Sequence, residues 1–288
     1  VRTFKEVYAL EDKCKVIAVA NQKGGVGKTT TAVNLGVALA RLGKRILIVD
    51  ADPQSSCTRS CGIPDPDNEL KYTLSELMTD EMTGEETDFI ALIDSIKQFE
   101  NVRLIPSNIS LSGTETALFN CMSRESVLKR TIAPLKSDYD YILIDCMPSL
   151  GMMTINALVA ADSVIIPCEP SFLSVKGLDL LLHSISKVKR QINPSLKIDG
   201  VLLTMVDYRT NNAREITGAL RDAMGNNINV FNIEIPRSVR ATECPGIGES
   251  IFTHDPNGKV AEAYANLAKE VVDLERKAQA KLRPYSVR

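Results

Sequence analysis

A doubly wound α/β fold, with one mostly parallel sheet flanked by helices, is what this sequence predicts, and three observations predict it. Short β-branched runs alternate with longer helical patterns along the whole chain, the order expected of strand–helix–strand units. Several runs, Ile46-Leu47-Ile48-Val49 and Ile142-Leu143-Ile144 among them, are continuously apolar, as parallel strands covered on both faces must be. A glycine-rich stretch from Asn21 to Thr30 separates the first such run from the first helical pattern, which is where open α/β sheets hold ligands.

Taken in order, Lys15–Ala20 reads as the first strand because Val16-Ile17-Ala18-Val19 is wholly apolar. Lys28–Leu42 follows as a helix, and Arg45–Asp50 as a strand that ends in carboxylates. Further strands are predicted at Val102–Pro106, Tyr141–Asp145, Ser163–Pro167, Gly200–Thr204 and Val230–Ile235. Further helices are predicted at Glu85–Phe99, Ser123–Pro134, Thr154–Ala160, Val175–Ile192, Asn212–Met224 and Lys259–Lys281. No repeat, low-complexity tract or Pro/Gly/Ser linker divides this alternation. Residues 15–282 therefore read as one domain, with an N-terminal extension at 1–14 and a short tail at 283–288.

The chain has 288 residues, 44% of them hydrophobic and 24% charged, which suits a globular core and not a disordered chain. A net charge of −2 excludes a uniformly basic nucleic-acid coat but leaves room for a local patch. Residues 65–100 carry 11 acidic against 2 basic side chains, and residues 187–240 carry 9 basic against 5 acidic, so any anion-facing surface is expected late in the chain. No apolar run approaches the roughly 18–20 residues that span a bilayer, and the start lacks the apolar core of a signal peptide. The chain opens on Val1, which reads as a trimmed or processed start. Seven scattered cysteines without a CxxC pair argue for reduced thiols, not a disulfide framework or zinc ribbon. A cytoplasmic protein is expected.

The strongest chemical signal is Asn21-Gln22-Lys23-Gly24-Gly25-Val26-Gly27-Lys28-Thr29-Thr30. Between a strand and a helix, glycines let backbone N–H groups turn toward a phosphate, and the helix N-terminus adds partial positive charge. Lys28 would reach the outer phosphates and Thr29 would ligate Mg²⁺, so a nucleoside triphosphate is the expected ligand. Two carboxylates close the second strand in Asp50-Ala51-Asp52-Pro53-Gln54, and a third follows Tyr141-Ile142-Leu143-Ile144 as Asp145. Paired carboxylates at the end of a parallel strand are hard to explain without a cation or a water to hold.

The loop departs from the standard pattern because Gln22 stands where a glycine is usual and Lys23 precedes Gly24. In this it resembles the deviant phosphate loop of the family that includes ParA, MinD and the nitrogenase iron protein. The resemblance implies a P-loop NTPase of the deviant Walker A type: an Mg²⁺-dependent ATPase that forms a homodimer on ATP, with Lys23 reaching across to the partner's phosphates. Gly24, Gly25, Val26, Gly27, Lys28, Thr29 and Thr30 would hold the nucleotide, Asp52 would orient the attacking water, and Asp50 and Asp145 would serve Mg²⁺ with Thr29. The family usually has two prolines after the last of these carboxylates, and Met147 replaces the first here.

Asp50-Ala51-Asp52-Pro53-Gln54, Thr154-Ile155-Asn156-Ala157-Leu158, Leu203-Thr204-Met205-Val206-Asp207 and Ile235-Pro236-Arg237-Ser238-Val239-Arg240 resemble ParA/Soj-type partition ATPases most. The resemblance implies that Met205 and Pro236 join the nucleotide site, with Pro236 and its neighbours flanking the adenine. It also implies non-specific DNA binding by the ATP dimer, with Arg209 and Arg240 touching phosphates, association with the nucleoid, and a ParB-type partner that stimulates hydrolysis. Lys187, Lys189 and Arg190 are weaker DNA candidates. About twenty residues precede the loop, too few for a helix-turn-helix domain, so operator-specific repression is not expected.

The competing reading is a MinD-like ATPase that positions a protein cargo or acts at the membrane, which needs a basic amphipathic helix at the C-terminus. Val260, Tyr264, Leu267, Val271, Leu274, Ala278 and Leu282 do follow helical spacing, but they read better as a helix packed on the sheet, so no stable membrane association is expected. An iron–sulfur reading would need Cys121 and Cys146 in cluster motifs that their contexts lack. His183 and His254 stand far apart without a third ligand and predict no metal site.

Overall fold

A computed structural model describes residues 14–85, 95–208, 211–224 and 228–282. Among them, seven strands form a single sheet: β1 (Lys15–Val19), β2 (Ile46–Ala51), β3 (Lys97–Phe99), β4 (Val102–Ile105), β5 (Tyr141–Cys146), β6 (Ser163–Cys168) and β7 (Lys197–Leu203). Their order is β3-β4-β2-β5-β1-β6-β7. Every neighbouring pair is parallel except the β3–β4 edge. The helices between and after them are α1 (Lys28–Arg41), α2 (Ser56–Ser60), α3 (Pro66–Glu69), α4 (Leu74–Thr83), α5 (Leu111–Leu118) and α6 (Val127–Ile132), then α7 (Met152–Ala160), α8 (Phe172–Gln191), α9 (Asn211–Met224), α10 (Val239–Ile247), α11 (Ile251–His254) and α12 (Lys259–Leu282).

Side chains alternate across the sheet with the two-residue period of a strand. Val16, Ala18, Leu47, Val49, Ile142 and Ile144 face one core, closed by residues such as Leu77 of α4, Leu158 of α7 and Leu181 of α8. Ile17, Ile46, Ile48 and Leu143 face the other, closed by Leu35 and Leu39 of α1 and by Val260, Leu267 and Val271 of α12. The doubly wound expectation therefore holds, and Val260, Tyr264, Leu267 and Val271 of the α12 stripe pack on the sheet. No helix among the described residues is long and apolar enough to cross one. Close approach marks α1: a Cβ at Gly36 would come within 2.9 Å of Ile48 Cδ1, so a larger residue there would make the Ile48 side chain of β2 shift.

Three predicted elements need correction. Val230–Ile235 is not a strand but two isolated bridges, Val201 to Val230 and Val206 to Pro236. Between them, the Asn232 and Ile233 amides donate to Glu270 of α12 instead of to β7. Most of the helix predicted over Glu85–Phe99 lies outside the described residues, but its end is strand β3, which turns back onto β4 through Glu100 at φ 45°. The helix predicted over Ser123–Pro134 is interrupted, with 3₁₀ turns at Arg124–Ser126 and Ala133–Asp138 around α6. Pro134, without an N–H, sits where the second of these turns begins.

Candidate nucleotide site

β1 delivers the chain into the phosphate loop, and the loop is anchored before it turns. Asn21 is buried, donates from Nδ2 to the Pro167 carbonyl (2.7 Å) and accepts the Lys23 amide (3.0 Å). Gly25 and Gly27 both have positive φ, 71° and 81°, in the left-handed region where a side chain is costly. Gly27 caps α1. Val26 is buried, and its carbonyl accepts the Thr204 hydroxyl (2.8 Å), which ties the loop to the end of β7. This predicted nucleotide residue thus anchors the loop from beneath.

Lys28 is 7% exposed, and its ammonium donates to the Lys23 carbonyl (3.0 Å). Burial pulls the Lys28 ammonium below its ordinary value, and the nearby Asp145, Cys146 and Asp52 oppose that shift. The Thr29 hydroxyl donates to Asp145 Oδ2 (2.7 Å). The other Asp145 oxygen is buried with no hydrogen-bond partner, a costly arrangement for a carboxylate. Asp145 on β5 is the register partner of Asp50 on β2. Burial and then the Asp50 charge hold Asp145 well above the usual carboxylate range.

Asp50 stands beside Asp145, as expected, but its oxygens are taken. Oδ2 accepts the Thr58 amide (2.8 Å) and hydroxyl (2.7 Å), and Oδ1 accepts the Asp52 amide (3.1 Å). Burial still pushes Asp50 up to about 7. Asp52 accepts the Gln54 amide (2.8 Å), and burial raises its carboxyl also. Two neighbouring carboxylates, one orphaned oxygen and a threonine hydroxyl make a donor set that a small divalent cation would satisfy. The described residues contain no group of three or more His, Cys, Asp or Glu placed to cage a metal. Mg²⁺ typically takes one or two carboxylates and shares the rest of its shell with phosphates and water.

These residues border a cavity of about 450 Å³, lined by Gly24, Gly25, Gly27, Lys28, Thr29, Thr30 and Asp52 on one side and by Met205, Pro236 and Arg237 on the other. The volume is in the range of small-molecule sites. Met205 reaches it from a strained backbone, φ 53°. Arg237 is one of the neighbours of Pro236 expected here, whereas sequence reasoning missed Thr204 and Tyr264 in the lining. Thr204 was within reach as the last residue of a predicted strand, whereas Tyr264 comes from α12, far away in the chain. Met147, in place of the usual proline, packs against the core, and Pro148 lines the cavity.

Lys23 behaves differently from its neighbours. It is not among the cavity-lining residues, and its ammonium pairs with Glu169 (3.2 Å) on the loop after β6. Glu169 also accepts from Arg237 (2.9 Å). Of the DNA candidates, Arg209 lies outside the described residues. Arg240 is exposed on α10, 3.7 Å from Glu243, and Lys187, Lys189 and Arg190 are exposed on α8. All seven cysteines are free. His254 is bound to Glu243 (2.9 Å).

A glycine-rich loop between β1 and α1, a lysine folded onto it and a threonine–aspartate pair beneath it define a P-loop nucleotide hydrolase with a deviant loop. Comparison with known proteins agrees. The family described as AAA domain matches residues 14–198. Sporulation initiation inhibitor protein Soj of Bacillus subtilis (strain 168) is 44% identical over 257 residues, 89% of this chain and 98% of its own. Chromosome partitioning protein ParA of Myxococcus xanthus (strain DK1622) is 40% identical over 258 residues, 90% of this chain and 88% of its own. Cobyrinic acid a,c-diamide synthase from Mycobacterium smegmatis, solved with an ATP analogue and magnesium, is 35% identical with a TM-score of 0.78, covering 92% of this chain and 97% of that one. The chain belongs to the ParA/Soj family of partition ATPases, and its reaction is ATP hydrolysis.

Proposed function

We propose that this ATPase binds MgATP in the described cavity, pairs with a second copy of itself, and in that state holds DNA without sequence preference to move a DNA cargo. Lys28 and the loop amides hold the phosphates, Thr29 and Asp145 hold Mg²⁺, and Asp52 orients the attacking water. Asp50 contributes negative charge next to Asp145 and fixes the Asp52 amide. Mg²⁺, when bound, neutralises charge on the phosphates. Met205 and Pro236 border the base, and Lys23 acts on the nucleotide of the facing subunit. A ParB-type partner accelerates turnover, and the protein works in the cytoplasm on the nucleoid. The cargo is a plasmid, chromosome or mobile element.

The observation that carries the nucleotide half of this reading is the orphaned oxygen of Asp145, buried beside Thr29 and Lys28. The dimer half is supported by Lys23, which sits apart from the cavity its neighbours line. Against a membrane-acting alternative, Val260, Tyr264, Leu267 and Val271 of α12 are buried on the sheet. The test is duplex DNA binding at several salt concentrations with ATP, with ADP and without nucleotide. ATP-dependent binding is expected, with Arg240→Ala lowering the salt slope by about one. Absence of DNA binding under every nucleotide condition would refute the DNA role and turn attention to a protein cargo.

A further inference from the structure

We propose that Glu169 is a latch: it holds Lys23 inside its own subunit and so sets how readily the ATP-loaded chain pairs with a second copy. This rests on the reading above that Lys23 acts across a dimer. Three loops converge on the one carboxylate. Lys23 comes from the phosphate loop, Glu169 from the loop after β6, and Arg237 from the segment after the Val206–Pro236 bridge.

Buried backbone contacts hold these loops in register. Asn21 Nδ2 donates to the Pro167 carbonyl (2.7 Å), two residues before Glu169, and the Thr204 amide donates to the Cys168 carbonyl (3.0 Å). The Arg237 amide donates to the Val206 carbonyl (3.1 Å). The backbones that carry Glu169 and Lys23 therefore cannot move apart without breaking these hydrogen bonds, although the side chains can. Arg237 grips Oε1 and Lys23 grips Oε2, so Arg237 orients the carboxylate that faces Lys23. The Glu169 side chain is 27% exposed, which leaves the contact dry enough to hold and wet enough to break.

A lysine ammonium held by this carboxylate must leave it before it can serve a phosphate on a facing subunit. The latch thus opposes pairing, and only a partner that carries bound phosphate offers Lys23 a better site. A resting subunit is kept from closing on an empty one.

The test uses the full chain at saturating non-hydrolysable ATP analogue, with the dimer dissociation constant measured by analytical ultracentrifugation. Nucleotide affinity is measured separately on dilute monomer. Glu169→Gln keeps the shape and removes the charge, and the dimer dissociation constant should fall about fivefold, the scale of one exposed ion pair. In a Lys23→Ala background the same change should have no effect, because a latch without its bolt holds nothing. An unchanged constant, or a shift that persists without Lys23, overturns the latch and leaves the dimer reading standing. A weaker dimer overturns it too, since Glu169 would then be working across the interface. A wild-type chain that stays monomeric with the analogue overturns both.

Discussion

Raising the pH of the nucleotide-free, metal-free protein from about 5 to about 8 should destabilise it, and Asp50, buried beside the raised carboxyl of Asp145, is one reason. Its carboxyl is fully buried, and burial pushes it up to about 7 against hydrogen bonds from Thr58 and from the Asp52 amide. On unfolding it returns to an ordinary value of 3.8. The folded chain therefore binds this proton more tightly than the unfolded chain does. The stability it contributes is complete below the unfolded value and is lost as the pH climbs through the folded one. Linkage puts the loss between pH 5 and 8 at about 3 kcal/mol. Asp50→Asn supplies the comparison. Its amide oxygen still accepts from Thr58, but its NH₂ meets the Asp52 N–H, a donor against a donor, at a pH-independent cost of about 1–3 kcal/mol. The chain has no Trp, so urea unfolding is best followed by circular dichroism. The wild type should start more stable than the variant at pH 5 and lose about 3 kcal/mol against it by pH 8. Parallel curves would refute the reasoning, because they would mean that Asp50 releases its proton at the same pH folded and unfolded.

Other consequences are simpler to measure. Asp52→Ala should still bind ATP and form the dimer while hydrolysis falls by about 10²–10⁴-fold, the usual worth of a positioned proton acceptor; turnover near the wild-type rate would remove Asp52 from the reaction. Lys28→Ala removes a buried cation from the phosphate loop. ATP affinity should fall by about 10–100-fold, as expected for hydrogen bonds to a charged group, and unchanged binding in titration calorimetry would count against the loop. Leu267→Ala opens a void between α12 and the sheet, where the side chain is wholly buried. It should cost about 2–5 kcal/mol in urea unfolding, and a cost near zero would mean that α12 does not close that core.

The centre of the sheet was legible because its strands say the same thing at every level: apolar on both faces, β-branched, and punctuated by glycine or carboxylate. Where contacts from distant parts of the chain decide, local pattern failed. Val230–Ile235 has the composition of a strand, and its Phe231 and Ile235 amides do donate to β7, yet Glu270 of α12 takes the Asn232 and Ile233 amides between them and breaks the ladder. The helix α4 was missed although its signal was present, since Thr73 and Glu76 form a reciprocal capping box. The helix α10 was hidden by Pro245, which lies inside it. At the site, the loop, the threonine and the three aspartates stand out because each lies in a short motif at the end of an apolar strand, although Thr29 and Asp145 are 116 positions apart. Glu169 could not, because nothing near it in the chain marks it as the partner of Lys23 and Arg237, which lie 146 and 68 positions away.

Asp50 and Asp145 show how a site can assign different work to the same side chain. Both end buried parallel strands, and they face each other in register. What separates them is the chain that follows. After β2 the backbone curls back at once, so the Asp52 amide and then Thr58 of α2 deliver three donors to Asp50. After β5 it does not. Pro148 has no N–H to offer, the Ser149 amide donates to the Met147 carbonyl (2.9 Å), and the Gly151 amide donates to the Ser149 hydroxyl (3.1 Å). Pro148, Ser149 and Gly151 thus offer Asp145 no N–H, and one of its oxygens stays orphaned beside Thr29. A cation seeking buried negative charge thus meets one carboxylate already satisfied by the backbone and one with an oxygen to give. Met147 in place of proline carries an N–H two residues after Asp145, the position from which the Asp52 amide serves Asp50, yet Asp145 Oδ1 still has no hydrogen-bond partner.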